Sequence, residues 1–193
     1  TLHLRDRDVW VRVYEYLYEG ENGHIVPIYF LDTDLEENFD DDRIISLRLY
    51  SGNKDHRILQ EAILGFGGIR LLDNLKYKNI KTYHMNEGHC SFLTLALMEK
   101  FNGDEDKVRS MCHFTTHTPV AAGHDHFAIN RCRKLLHNLL PESLELPSWV
   151  QDSRLHMTEM GLYFSRSANG VSKLHGQVAQ DQFPDFPINY ITN

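Results

Sequence analysis

The second half of the sequence alternates short runs that resemble buried strands with helix-like patterns. Runs typical of buried strands occupy residues 79–85, 112–116 and 188–192, with a shorter one at residues 170–171. Helical periodicity falls between and around them, at residues 90–101, 104–111, 127–140, 156–167 and 173–182. Strands that alternate with helices favour parallel β-α-β units with right-handed crossovers. The sequence therefore predicts an α/β fold, a Rossmann-like parallel sheet with flanking helices.

Polar residues follow two of these predicted strands. Asn86, Glu87 and His89 come directly after the first strand, and Thr116 and His117 end the second. Ligands of open α/β sheets bind in the crevice at the carboxyl ends of the strands. These side chains offer donors and acceptors suited to sugar hydroxyls without carrying a large charge. They are the candidate substrate-binding residues, with helix capping as the alternative role for Asn86.

Two other kinds of site fit the sequence less well. The twelve histidines invite a metal interpretation, but zinc needs three or four converging ligands and the chain has no HExxH pattern. A nucleophilic hydrolase would need a serine or cysteine on a sharp turn beside a base, and no GxSxG is present. We therefore expect no metal and no catalytic nucleophile.

A β-hairpin is predicted ahead of this region. Residues 9–18 alternate apolar and polar types, EGENG turns the chain, and residues 24–31 form the returning strand. Residues 32–42 carry seven carboxylates and are expected to be a solvated loop, since the glycine and terminal glutamate of a calcium-binding EF-hand loop are missing. We divide the chain near residue 52, into a hairpin with its acidic loop (1–52) and an incomplete Rossmann-like portion (53–193).

One long helix is predicted over residues 55–75, where apolar residues recur at helical spacing. Gly65, Gly67 and Gly68 lie inside this periodic pattern rather than between a strand and a helix. A phosphate-cradling loop needs the latter position. The three glycines therefore indicate close packing of the helix against a neighbour.

Composition restricts the classes of partner and the setting. The formal charge is −7, without a basic cluster, and this argues against nucleic acid. Cys90, Cys112 and Cys132 lack metal-ligand spacing and favour reduced thiols in the cytoplasm. No apolar run approaches the roughly 20 residues of a membrane helix, and the first residues have no signal-peptide pattern. We expect a cytoplasmic protein that contacts neither a membrane nor nucleic acid.

Five segments carry a family resemblance. They are FLDTDLEEN (30–38), RLYSGNKDHRILQEAILGFGGIRLL (48–72), YHMNEGHCSFLTL (83–95), FTTHTPVAAGHDHF (114–127) and SANGVSKLHGQV (167–178). In this order, and over nearly the whole chain, they resemble the α-glucan phosphorylases, the family of glycogen, starch and maltodextrin phosphorylases. The resemblance is to the shorter bacterial and archaeal branch, in the middle part of the amino-terminal domain.

The resemblance implies a two-domain, glycosyltransferase B-type fold. Such enzymes use inorganic phosphate to release glucose 1-phosphate from the non-reducing end of an α-1,4-glucan. They hold pyridoxal phosphate on a lysine of the carboxyl-terminal domain, which is not in this chain, and they are commonly homo-oligomers. By the same resemblance, His117 lines the glucosyl subsite, and Glu87 and His89 lie near the acceptor-sugar subsite.

Some positions depart from the family pattern. Ala121 stands where proline is usual, and residues 51–53 replace a usual glycine-glycine-acid run. Lys173 matches a structural position, so it is not the cofactor lysine, and the family's upstream glycine-rich loop is missing from the chain. The isolated chain is therefore expected to be catalytically silent, with the remainder of the phosphorylase as its partner. The alternative is a non-catalytic remnant that binds glucan or a partner.

Overall fold

The computed structural model describes residues 1–49, 52–141 and 148–193. In these residues the strands are β1 (Leu2–Leu4), β2 (Arg7–Val9), β3 (Arg12–Glu19), β4 (Ile25–Asp32), β5 (Tyr83–Asn86), β6 (Cys112–Thr116), β7 (His126–Ala128), β8 (Val150–Gln151), β9 (Arg154–His156), β10 (Ser167–Gly170) and β11 (Ile188–Tyr190). The helices are α1 (Asp40–Arg43), α2 (Lys54–Ala62), α3 (Gly68–Asn74), α4 (Phe92–Lys100), α5 (Glu105–Met111), α6 (Ile129–Leu136), α7 (Met157–Tyr163) and α8 (Lys173–Gln182).

Four strands form a parallel sheet in the order β11-β10-β6-β5. This sheet and its helices confirm the predicted α/β, Rossmann-like arrangement. Met85, Phe114 and Ala168 lie side by side in register on one face, and each is buried. Alternation places His84 and His113 on the opposite face. The sheet thus has one apolar face that supplies the core and one polar face.

Helices α7 and α8 cover the apolar face. Gly161 of α7 lies so close to the sheet that a Cβ there would come within 2.5 Å of the Phe114 ring. Gly170, which shares the face of Ala168, would likewise meet the backbone of Gly176 in α8 at 2.8 Å. The connections from β6 to β10 and from β10 to β11 therefore cross on the same side of the sheet.

The predicted long helix is one continuous helical run with an irregular centre. Helices α2 and α3 are joined by a π-helical turn, Ile63–Gly67. A Cβ on Gly65 would come within 2.6 Å of the Leu93 backbone nitrogen in α4, so close packing explains this glycine. The corresponding position at Gly67 makes ordinary contacts at 3.5 Å, and at Gly68 it meets nothing within 4 Å. Close packing therefore does not account for Gly68.

The predicted hairpin is present as the antiparallel pair β3 and β4, paired from Arg12↔Asp32 to Glu19↔Ile25. Val9, which we assigned to its first strand, belongs instead to β2, and β2 pairs with β1. Strand β1 packs on the end of α6 and the segment that follows it, and the amide of Arg5, just after β1, donates to the Leu135 carbonyl of α6 at 3.0 Å. The division of the chain near residue 52 stays a prediction.

The acidic segment is not wholly solvated, and the expectation was wrong for Asp42. Its side chain is 1% exposed and accepts from Arg7 at 2.5 Å and from Arg5 at 3.1 Å. Two guanidinium groups compensate the burial of one carboxylate, which would otherwise be unfavourable. Asp42 thereby ties the short helix α1 to the turn between β1 and β2.

A small antiparallel sheet in the order β7-β9-β8 was not predicted. The expected helices over 127–140 and 156–167 are correspondingly shorter, because their ends belong to β7, β9 and β10. Residues 140–149, LPESLELPSW, are rich in proline and predict a surface loop, but they lie largely outside the described residues. Within the described ranges, no helix is long and apolar enough to cross a membrane.

Candidate functional site

The ends of β5 and β6 are neighbours, which brings the two polar clusters of the sequence together. Asn86 pairs with Thr115 across the parallel ladder, and the Glu87 amide extends it by donating to the Thr115 carbonyl at 2.9 Å. Glu87 itself has a φ of +78°. Positive φ is uncommon for a residue with a side chain and persists where surrounding contacts hold it. The chain thus turns sharply at the point where the candidate residues begin.

The Glu87 carboxylate joins the two strand ends. One oxygen accepts from the His117 amide at 2.7 Å, and the other accepts from the Thr118 hydroxyl at 2.8 Å. Both oxygens therefore have partners in the segment that follows β6. A carboxylate has about four acceptor positions, so each oxygen keeps capacity for one further donor. Glu87 fixes the geometry of this edge and can still accept from a ligand hydroxyl.

The segment after β6 is also held from the helix side. His124 bonds through its two ring nitrogens to the Thr158 hydroxyl at 2.9 Å and to the Gln182 side-chain oxygen at 3.0 Å. The Gln182 amide group in turn donates to the Pro119 carbonyl at 2.9 Å. Glu87 just after β5, Thr158 of α7 and Gln182 of α8 therefore all hold this segment.

A buried ionic cluster closes the far end of the same segment. Arg57 of α2 contacts Glu61 at 3.1 Å and Asp125 at 2.5 Å. The Glu61 side chain is 2% exposed, and its burial raises its pKa well above the ordinary value, an effect that Asp125 increases and Arg57 opposes. We name Arg57, Glu61 and Asp125 the ionic triad. It ties helix α2 to the segment that begins at His117.

His89 lies between this triad and the strand ends. It is partly buried, and burial lowers the pKa of its imidazole below the ordinary value. The ring is therefore neutral near pH 7, and a neutral imidazole both donates and accepts. His89 also lines a groove of about 550 Å³, whose other walls include Arg57, Glu61 and apolar residues of β4 and the long helix.

The other predicted residues differ in accessibility. Asn86 and His117 are exposed. Thr116 is fully buried, and its hydroxyl accepts from the Thr118 amide at 3.4 Å, so its side chain faces the protein interior. The structure therefore gathers all five residues at one edge of the sheet and leaves four of their side chains at least partly accessible. Their role in binding a substrate stays a prediction.

The chemistry of this edge is that of hydrogen bonding. Burial raises the pKa of the Cys90 thiol to about 11, so it is protonated near neutral pH and a poor nucleophile. Among the described residues no group of three histidine, cysteine or acidic side chains could hold a metal ion. The fixed donors and acceptors can position a polyhydroxylated ligand.

The sequence did not reveal Arg57, Asp125 and His124 as part of this edge. Arg57 and Asp125 are 68 positions apart in the chain, and no local pattern links them. His124 and Asp125 lie in a short polar run, GHDH (123–126), that follows His117 a few residues later, and this was the available signal.

No protein-family model matches the chain. It is 35% identical over 202 residues to the glycogen phosphorylase of Mycobacterium tuberculosis, a match that covers 87% of this chain and 23% of that protein. It is 36% identical over 209 residues to the maltodextrin phosphorylase of Thermococcus litoralis, with 98% and 24% covered. It is 31% identical over 214 residues to the glycogen phosphorylase of Aquifex aeolicus, with 100% and 30% covered.

The chain thus spans between 23% and 30% of the length of these relatives. The matches extend over most or all of the chain itself, and they agree in the kind of protein they name. The Rossmann-like sheet is consistent with them. The chain therefore belongs to the α-glucan phosphorylase family and corresponds to one segment of the relatives it matches.

Proposed function

We propose that this chain is part of an α-1,4-glucan phosphorylase and that the ends of β5 and β6, joined by Glu87, form one wall of the sugar site. The whole enzyme would transfer the terminal glucosyl unit of glycogen or maltodextrin to inorganic phosphate and release glucose 1-phosphate. The observation that carries the proposal is the pair of strand ends joined by Glu87, in a chain similar over most of its length to glycogen and maltodextrin phosphorylases.

Each accessible side chain has a role in this proposal. Neutral His89 exchanges hydrogen bonds with sugar hydroxyls, and Asn86 and His117 offer further donors and acceptors at the exposed rim. Glu87 fixes the His117 backbone and accepts from a hydroxyl with its remaining capacity. Fixed dipoles at such an edge stabilise developing charge without reorganising during the reaction. These are substrate-positioning residues, and none of them is proposed as the acid or base.

The cofactor and the phosphate belong elsewhere in the proposed enzyme. Pyridoxal phosphate needs a lysine in a protected site, and every lysine of this chain is exposed. Lys173, for example, begins α8 at the surface. Arg57, a cation beside the candidate site, already pairs with two carboxylates. The residues present therefore do not fit the cofactor, and the proposed site holds only the sugar side of the reaction.

Further properties of the proposed enzyme follow. The isolated chain is inactive, since the cofactor domain and phosphate ligands lie outside it. A cytoplasmic setting is supported by Cys90, Cys112 and Cys132, none of which forms a disulfide. The family resemblance adds a homo-oligomeric state for the complete enzyme.

The test uses the complete enzyme whose reading frame contains this chain. Glu87→Gln is compared with Glu99→Gln, an exposed position on α4. We expect Glu87→Gln to lower kcat/KM for phosphorolysis of maltopentaose by roughly 10-fold, the loss that corresponds to about one hydrogen bond to a charged group. The control is expected to leave kcat/KM unchanged.

Two outcomes would contradict the proposal in different ways. Equal kcat/KM values for the two variants would show that the strand ends are not part of the sugar site. A complete enzyme that releases no glucose 1-phosphate would contradict the proposed phosphorylase function itself. Titration calorimetry of the isolated chain with maltopentaose completes the test, because binding without any phosphorolysis by the complete protein would favour the glucan-binding remnant.

A further inference from the structure

The hairpin of β3 and β4 has one continuous apolar face. Residues paired across an antiparallel ladder point to the same side of the sheet. Three successive pairs of this kind lie on one face, and every member is between 39% and 57% exposed. They are Tyr14 with Phe30, Tyr16 with Ile28, and Tyr18 with Val26. Exposed apolar clusters of this size mark interaction sites on soluble proteins. We name these six residues the aromatic face.

The sequence of β4 is typical of a strand that packs against other protein on both of its faces. Residues 25–31 read IVPIYFL, an unbroken apolar run. Strands covered on one side alternate apolar with polar residues, whereas strands covered on both sides read as continuous apolar runs. The face opposite the aromatic face is covered only in part. Leu31 packs against the buried core and the Tyr29 hydroxyl bonds to that of Tyr77 at 3.0 Å, whereas Leu17 and Ile25 near the turn are exposed. On the aromatic face all six residues are exposed in the described structure.

The backbone of the hairpin points to the same conclusion. Within the described residues β3 and β4 pair only with each other, so the outer edge of each strand is open. An isolated two-stranded hairpin is marginally stable in water, and an open edge is a template for a further strand. Both features would be relieved by a layer of protein that pairs with an edge and packs on the aromatic face.

We propose that the aromatic face is the docking surface for the part of the phosphorylase polypeptide that lies outside this chain. This inference rests on the proposed function. The relatives are three to four times longer than the matched segment, so a large amount of polypeptide is available to cover the face. The docked layer presents apolar side chains to the three tyrosines of this face.

Charge disfavours a second copy of this chain as the occupant. Each copy carries a formal charge of −7. Arg12, the cation on the hairpin, is already paired with Asp32 at 2.8 Å. The net negative charges of two copies would therefore oppose their association through this face.

The test is hydrogen exchange of the β3 and β4 amides, measured in the isolated chain and in the complete enzyme. Amides that open locally exchange fast, and docking of a packed layer slows them. We expect exchange at least about 100-fold slower in the complete enzyme than in the isolated chain. Equal exchange rates in the two proteins would overturn the proposal.

The isolated chain supplies two further decisive outcomes. If exchange in the isolated chain slows as its concentration is raised, and size-exclusion chromatography shows a dimer, the face would be assigned to a second copy and the proposal overturned. Slow exchange that appears only on addition of maltopentaose would assign it to carbohydrate and likewise overturn it. Glucose 1-phosphate release is assayed on the same preparation of complete enzyme, so protection without phosphorolysis would contradict the proposed function and leave the docking surface supported.

A pair of variants provides independent evidence. Tyr16→Lys places a charge in the middle of the aromatic face, and Glu21→Lys places the same charge in the adjoining turn. We expect both to leave the Tm of the isolated chain unchanged, because both positions are exposed there, and Tyr16→Lys alone to lower the Tm of the complete enzyme. An unchanged Tm in the complete enzyme would contradict docking on this face.

Discussion

Replacement of Arg57 tests whether the ionic triad holds the candidate site together. Arg57 is the shared partner of Glu61 and Asp125, whose side chains are 2% and 32% exposed. Arg57→Ala leaves two carboxyl groups facing each other in a region from which water is largely excluded. Removing one partner of a buried ion pair is far more costly than removing one from the surface.

The expected loss in the free energy of unfolding is about 3 kcal/mol. Breaking a buried pair costs roughly 3–5 kcal/mol, and the partial exposure of Asp125 places this case at the low end. Proton uptake by Glu61 also limits the loss, because neutralising a carboxyl of ordinary pKa near 4.3 at about pH 7 costs roughly 3.7 kcal/mol. The same variant is expected to loosen the segment that begins at His117, since Asp125 loses its anchor.

Arg131→Ala is the matched control. Arg131 pairs with Asp55, also on α2, at 2.9 Å, but its side chain is 59% exposed. Exposed pairs contribute roughly 0–1 kcal/mol. Urea unfolding followed by the fluorescence of Trp149, which is 2% exposed, reports both variants. Equal, small losses for the two arginines would refute the reasoning that the triad is a buried anchor.

Three further predictions concern burial and packing. Because the folded state raises the pKa of Glu61, the contribution of Glu61 to stability is fullest below the ordinary carboxyl pKa of about 4.3 and falls as pH rises through the raised value. Glu61→Gln removes this fall, so the Tm of the variant should gain on that of the wild type as pH rises above about 5, and parallel Tm profiles would contradict the assignment. Gly65→Ala should cost about 1–3 kcal/mol in urea unfolding by its clash with α4, whereas Gly68→Ala, with open space, should gain about 0.5–1 kcal/mol; the reverse order would show that the helix contact is wrong. Burial raises the pKa of Cys112 and of Cys132 to about 12, so iodoacetamide should label them only on unfolding, and rapid labelling of the native protein would contradict their burial.

The central sheet was predictable because its signals are local. Phe114 and its neighbours form a short strand-like segment that ends in threonines, and the helices around it show their own periodicity. The adjacency of Asn86 and Thr115 follows once both strands belong to one parallel sheet. The gathering of polar groups at this edge could therefore be expected from sequence alone.

The features that escaped prediction depend on contacts between distant parts of the chain. Asp42 is buried because Arg5 and Arg7 reach it from the first turn of the chain, and its own acidic neighbours predict exposure. The strands β7, β8 and β9 have two or three residues each, too few to show a period of two. The hydrogen bond from the His117 amide to the Glu87 carboxylate is made by a residue, Glu87, whose positive φ no sequence pattern indicates.

The π-helical turn shows how tertiary packing changes a correctly predicted element. The apolar spacing of residues 55–75 is that of an ordinary helix. Close approach of Gly65 to the backbone of α4 coincides with the change of helix type at Ile63–Gly67. A local pattern can predict the helix, but the neighbour that packs against its π-helical turn comes from a segment 28 residues further along the chain, at Leu93.

The most direct test is a crystal structure of the complete enzyme with maltopentaose bound. The proposal that the β5 and β6 ends form a wall of the sugar site predicts a glucosyl unit whose hydroxyl oxygens lie within about 3.2 Å of His89 or His117. It also predicts that the Glu87 carboxylate keeps its bonds to the His117 amide and the Thr118 hydroxyl. A maltopentaose molecule seated in the cleft, with every sugar atom farther than about 5 Å from these side chains, would contradict it.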